Sequence, residues 1–80
     1  MNTTTQDYAH DLDARGLNCP LPILKIKKAI NQAEAGEVVR MISTDSGSLK
    51  DMEAFCKQTG HTLLSSQSGD GEHTFYVRKV

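Results

Sequence analysis

Residues 8–13 alternate, with Tyr8, His10 and Leu12 on one side and Ala9, Asp11 and Asp13 on the other. This period of two predicts a first strand, closing at Arg15-Gly16. Leu17-Asn18-Cys19-Pro20-Leu21-Pro22 follows. Its two prolines lack an amide donor and suit only the opening turn of a helix, so a helix is predicted from about Cys19. Ile23, Ile26, Ile30 and Ala33 recur at steps of three and four, an apolar stripe that ends where Gly36 can take a left-handed cap. Val38, Val39, Met41 and Ile42 then lie in a β-branched run that predicts a buried second strand over 37–43.

Thr44-Asp45-Ser46-Gly47-Ser48 is rich in capping residues, and Ser48 with Asp51 matches the Ser-x-x-acid pattern of a helix start. A second helix is predicted over 46–59, with Leu49, Met52 and Cys56 on one face, Phe55 flanking it, and Gly60 as a left-handed end. Residues 61–67 and 72–80 read as a hairpin around Ser68-Gly69-Asp70-Gly71, with Phe75 and Val77 sharing a face. The order strand, helix, strand, helix, strand, strand predicts an α/β two-layer sandwich (βαβαββ), a mixed four-stranded sheet with two helices on one face. A single domain fills residues 1–80, with 1–6 expected to form a flexible N-terminal tail.

Composition narrows the function classes. With 38% apolar and 24% charged residues and a net charge of −1, the chain resembles an ordinary globular domain and lacks the basic excess of a nucleic-acid binder. No apolar run approaches the roughly 20 residues that cross a bilayer, and residues 1–5 hold no basic start or apolar stretch of a secretory signal. A cytoplasmic setting is expected, in which Cys19 and Cys56 are thiols rather than a disulfide.

The candidate chemistry centres on Cys19. A helix start favours an anion through its amide donors and dipole, so a thiolate there is stabilised, and the flanking prolines hold the turn so that sulfur faces outward. Lys25, Lys27 and Lys28 add positive charge, and no acidic residue interrupts between Ile23 and Glu34. Lys25 and Lys28 can serve as a docking face for an acidic partner, or simply as the solvated side of the helix. Cys56, in an apolar stripe, reads as a small core residue. Asp7, Asp11, Asp13 and His10 could suggest a metal site, but alternation sends His10 to the face opposite Asp11 and Asp13. His61 and His73 stand alone near turns, so no metal is expected.

The stretch Leu12-Asp13-Ala14-Arg15-Gly16-Leu17-Asn18-Cys19-Pro20-Leu21-Pro22 closely resembles the signature of TusA-like (SirA-like) sulfur carriers, with the Cys-Pro-x-Pro element as its diagnostic part. The similarity continues through Gly36-Glu37, Asp45 and Phe55-Cys56. It implies that Cys19 accepts sulfane sulfur from a cysteine desulfurase or rhodanese and relays it as a persulfide to a downstream acceptor protein. It also implies that Asp13, Arg15 and Gly16 shape the approach loop, Pro20 and Pro22 the helix start, and Asp45 a neighbouring loop. No cofactor is implied beyond the covalent persulfide sulfur, nor a nucleic-acid or membrane partner, and a monomer is expected. Whether such a carrier counts as an enzyme is left open. The sulfur could go to tRNA thiolation, a molybdenum-cofactor pathway or sulfur oxidation. Where many relatives have Asp-Pro, this chain reads Asp45-Ser46-Gly47, which implies a more mobile loop.

Two other classes compete. A thiol-disulfide redox protein also wants a low-pKa cysteine at a helix start, with Cys56 as its only resolving thiol. A non-catalytic regulatory or RNA-binding module is poorly supported, because Tyr8, Phe55, Phe75 and Tyr76 are the only aromatics besides the histidines.

Overall fold

The computed structural model describes residues 8–18 and 20–80; Cys19 and the predicted tail lie outside the described residues. The elements are β1 (His10–Ala14), α1 (Leu21–Gln32), β2 (Val38–Ser43), α2 (Ser48–Thr59), β3 (Thr62–Gly69) and β4 (Glu72–Arg78). The strands form one mixed sheet in the order β1-β2-β4-β3, with β1 parallel to β2 and β4 antiparallel to both its neighbours. The predicted two-layer βαβαββ sandwich is the observed one.

Alternation decides which side of each strand is buried. Leu12 pairs with Met41, Met41 with Phe75, and Val39 with Val77, so these side chains share one sheet face. Ile26 and Ile30 of α1 and Met52, Phe55 and Cys56 of α2 close over that face in a single core. Both helices therefore lie on the same side. On the other face, Arg40 of β2 bonds Asp11 of β1 at 3.2 Å and sits over the Tyr8 ring, whose centroid is 6.1 Å from that of Tyr76.

Several boundaries differ from those predicted, each for a local reason. The first helix starts at Leu21, with Pro20 as its cap and Pro22 buried in its first turn. It ends at Gln32, because Ala33 is already extended and sinks into the core. Gly36 does adopt φ +88°, but inside the turn that Glu37 N–H closes on Glu34 C=O at 3.0 Å. The second helix starts at Ser48, capped by Gly47 without a side-chain bond. Its buried stripe runs through Ser48, Met52, Phe55 and Cys56, while Leu49 is 39% exposed. Gly60 ends this helix at φ +83°, as its position suggested.

The hairpin is tighter than predicted. Its strands pair as far as Gly69 and Glu72, leaving Asp70 and Gly71 alone in the loop at φ +53° and +78°. Two central residues with positive φ match the twist of the flanking strands. An irregularity in register between Leu63 and Ser65 sets Leu64 as an extra residue in β3. Among the described residues, no helix is long and apolar enough to cross a membrane.

Candidate functional site

The carboxyl ends of the parallel strands β1 and β2 lie side by side, with Ala14 paired to Ser43, and each leads into a loop. Where β1 gives way to the first loop, Asp13 and Arg15 lock together. The Arg15 guanidinium donates to Asp13 Oδ1 at 3.0 Å and Oδ2 at 3.2 Å, and the Arg15 amide donates to Oδ1 at 3.0 Å. These bonds lower the Asp13 pKa to about 2 and raise that of Arg15. Arg15 also reaches Glu72 of β4 at 3.5 Å, so one guanidinium spans the loop and the hairpin.

Gly16 follows at φ +79°, a conformation glycine adopts without Cβ strain. Its N–H donates to Thr44 Oγ1 at 2.8 Å, which ties the first loop to the one after β2. Leu17 N–H closes the turn on Ala14 C=O at 3.3 Å, and Leu17 packs against the core. In the chain, Cys19 falls between Asn18 and Pro20 and lies outside the described residues.

The start of α1 is poor in donors. Pro20 and Pro22 have no N–H, and the Leu21 N–H is taken by Asn18 C=O at 2.8 Å. Among the described residues of this turn, few of the amides expected to favour a thiolate are left to do so. The first turn holds no acid, and the positive end of the helix dipole lies there. Lys25 adds positive charge that helps hold the Asp13 pKa down. Lys25, Lys27 and Lys28 are all exposed, and among the described residues neither Lys25 nor Lys28 forms a salt bridge.

Asp45 lies in the second loop, as expected. Its N–H donates to Ser43 Oγ at 3.2 Å and its C=O accepts the Ser48 N–H at 3.1 Å. Gly47 is in right-handed helical geometry and uses none of glycine's extra freedom.

Three features escaped the sequence. In the sequence Thr44 is one of several capping residues, yet it joins the two loops. Leu21 and Leu24 are 47% and 54% exposed on α1, beside the lysines. A groove of about 220 Å³ opens between the helices, lined by Pro20, Ile23, Asp51, Ala54, Phe55 and Gln58. The exposed leucines follow from continuing the helical period from Leu21 and Leu24, but a groove exists only once two helices have packed.

Cys56 is buried between α2 and the sheet, and burial pushes its thiol pKa up. That opposes the redox reading, which needs a reachable second thiol. The histidines have separate neighbours: His10 is 3.0 Å from Glu37, His73 is 2.7 Å from Ser68, and His61 packs on Phe55. Among the described residues no cluster of three potential metal ligands occurs.

The family model of the sulfurtransferase TusA matches residues 10–79, every element of the fold and both loops. The chain belongs to the TusA family. It is similar to the sulfur carrier protein TusA of Allochromatium vinosum, 49% identical over 73 residues that cover 91% of this chain and 96% of the relative. It is also similar to the sulfur carrier protein TusA of Pseudomonas entomophila, 40% identical over 75 residues, covering 91% and 94% of the two chains. Its backbone matches the crystal structure of a SirA-like protein from Desulfitobacterium hafniense at a TM-score of 0.78 and 25% identity, over 88% of this chain and 96% of that one. In this TusA-family fold, Asp13 at the end of β1 and the following Arg15 and Gly16 precede Cys19 in the chain, and Asp45 lies in the loop after β2.

Proposed function

We infer that this sulfur carrier takes up sulfane sulfur as a persulfide on Cys19 and relays it to an acceptor protein in the cytoplasm. The observation that carries the reading is the start of α1. It has no side-chain cap and no acid in its first turn, and it follows Cys19 directly after the braced Asp13, Arg15 and Gly16 loop. An anion beside such a helix end is favoured over its neutral form.

The chemistry balances without an external oxidant. The Cys19 thiolate attacks the outer sulfur of a donor cysteine persulfide, of the kind a cysteine desulfurase or rhodanese presents. The new S–S bond forms as the donor's breaks, and the donor cysteine leaves as a thiolate. An acceptor thiolate then attacks the outer sulfur on Cys19 in the same way, returning Cys19 to a thiolate. No cofactor takes part beyond the sulfur itself. Lys25 and Lys28 provide a docking face for donors and acceptors, with Leu21 and Leu24 beside them.

The test is mass spectrometry after incubation with a cysteine desulfurase and cysteine. One reducible sulfur should appear on the wild type and on Cys56→Ser, and be absent from Cys19→Ser. Equal loading of Cys19→Ser would move the site elsewhere.

A further inference from the structure

The hydroxyl groups at the end of β2 form a hydrogen-bonded brace that reaches the residues preceding Cys19. Ser43 Oγ and Ser48 Oγ lie 2.6 Å apart, both fully buried, and Ser43 Oγ also accepts the Asp45 N–H. The Ser48 N–H returns to Asp45 C=O. The loop between β2 and α2 is thereby fixed at both ends, and Thr44, the exposed residue beside this network, holds the Gly16 N–H at 2.8 Å.

Gly16 lies three positions before Cys19, in a left-handed conformation that glycine enters and leaves without strain, so a contact is needed to select it. Thr44 is suited to supply such a contact. Its β-branched side chain has few rotamers, and its backbone is continuous with a buried strand end, so the acceptor oxygen stands in a defined place.

We propose that Thr44 is a positioning residue for sulfur transfer: its hydroxyl fixes the Gly16 turn and with it the approach to Cys19. The proposal rests on the reading of Cys19 as the sulfur site. Thr44 touches no reacting atom and acts through the loop alone. A single exposed neutral hydrogen bond is too weak to decide whether the domain folds, but it shifts a local equilibrium by about threefold to tenfold. A carrier whose competent loop conformer is populated less often reacts more slowly by the same fraction.

The test uses the full chain with Thr44→Val, which keeps the shape and removes the acceptor, and Thr44→Ser, which restores the hydroxyl. Amide hydrogen exchange at Gly16 reads the bond, and the rate of Cys19 loading by inorganic polysulfide, followed by mass spectrometry, reads its consequence. In that reaction Cys19 takes one sulfane sulfur and releases a chain one sulfur shorter. Thr44→Val should exchange Gly16 about threefold to tenfold faster and load more slowly by a similar factor, with both returned toward wild type in Thr44→Ser. Unchanged exchange in Thr44→Val would refute the bond. Faster exchange with normal loading, or slow loading that Thr44→Ser fails to rescue, would overturn the positioning role while leaving the Cys19 reading intact. A wild-type chain that takes no sulfur on Cys19 would overturn both.

Discussion

Ser43 at the end of β2 and Ser48 at the start of α2 share a buried hydrogen bond of 2.6 Å, which joins strand to helix beneath the second loop. The Ser-x-x-acid pattern of Ser48 and Asp51 marks Ser48 as a helix-start cap. Instead its hydroxyl turns inward, because Ser48 leads the buried stripe continued by Met52 and Cys56. Two serines can be buried there because their hydroxyls bond each other and Ser43 Oγ also accepts the Asp45 N–H.

Ser48→Ala should therefore destabilise the fold by about 1–2 kcal/mol, since it leaves the buried Ser43 hydroxyl short of a partner. For a domain of this size the midpoint of a thermal melt should fall by roughly 4–8 °C per kcal/mol. The double variant Ser43→Ala, Ser48→Ala should lose less than the sum of the two single changes. Additive losses in circular-dichroism melts would remove the coupling.

Reversing charge on α1 tests docking. Lys25→Glu with Lys28→Glu should slow loading by a cysteine desulfurase most at low ionic strength, because exposed charges act mainly on encounter and are screened by salt. Loading by inorganic polysulfide should be nearly unchanged. If both reactions slow equally, the lysines tune the thiolate rather than a partner; if neither slows, they are only a solvated face.

The pH dependence of stability has a predictable sign. His61 is pushed below its ordinary 6.5 by burial and then by Lys79, and it packs 5.9 Å from Phe55. The folded chain thus prefers the neutral ring, so as pH falls through 6.5 the unfolded chain binds the proton first and stability declines. Asp13 and Glu37 act in a lower window. Asp13 is held down by the Arg15 side chain, and Glu37 by the Glu34 amide and then His10. Their contribution is present above the ordinary carboxylate range and disappears as pH drops through their lowered values. Melts from pH 7 to 5 should show a flatter slope for His61→Gln, and an unaltered slope would discard the assignment.

The hairpin turn offers a backbone control. Gly71 has φ +78° with open space around it, so Gly71→Ala meets no clash and the change isolates conformational strain, about 1–2 kcal/mol of lost stability. Gly69, outside the left-handed region and also in open space, should tolerate Ala with little loss. Equal effects of the two changes on the melting midpoint would contradict the turn geometry.

Patterns that are local in the chain determined much of this protein. Period-two alternation marked β1, a β-branched run marked β2, the stripe of Ile23, Ile26 and Ile30 marked α1, and Gly60 marked the end of α2, because each reflects a repeat or a backbone conformation set within a few residues. The turn at Arg15-Gly16 was legible for the same reason. Tertiary structure alone decided the rest. It turned Ser48 inward and Leu49 outward and moved Gly36 from a helix cap into a turn. It also set Thr44 against Gly16, 28 positions away, and opened the groove between the helices beside Pro20. Those outcomes depend on which surfaces meet when two helices and a sheet pack, and no short window of sequence contains both partners.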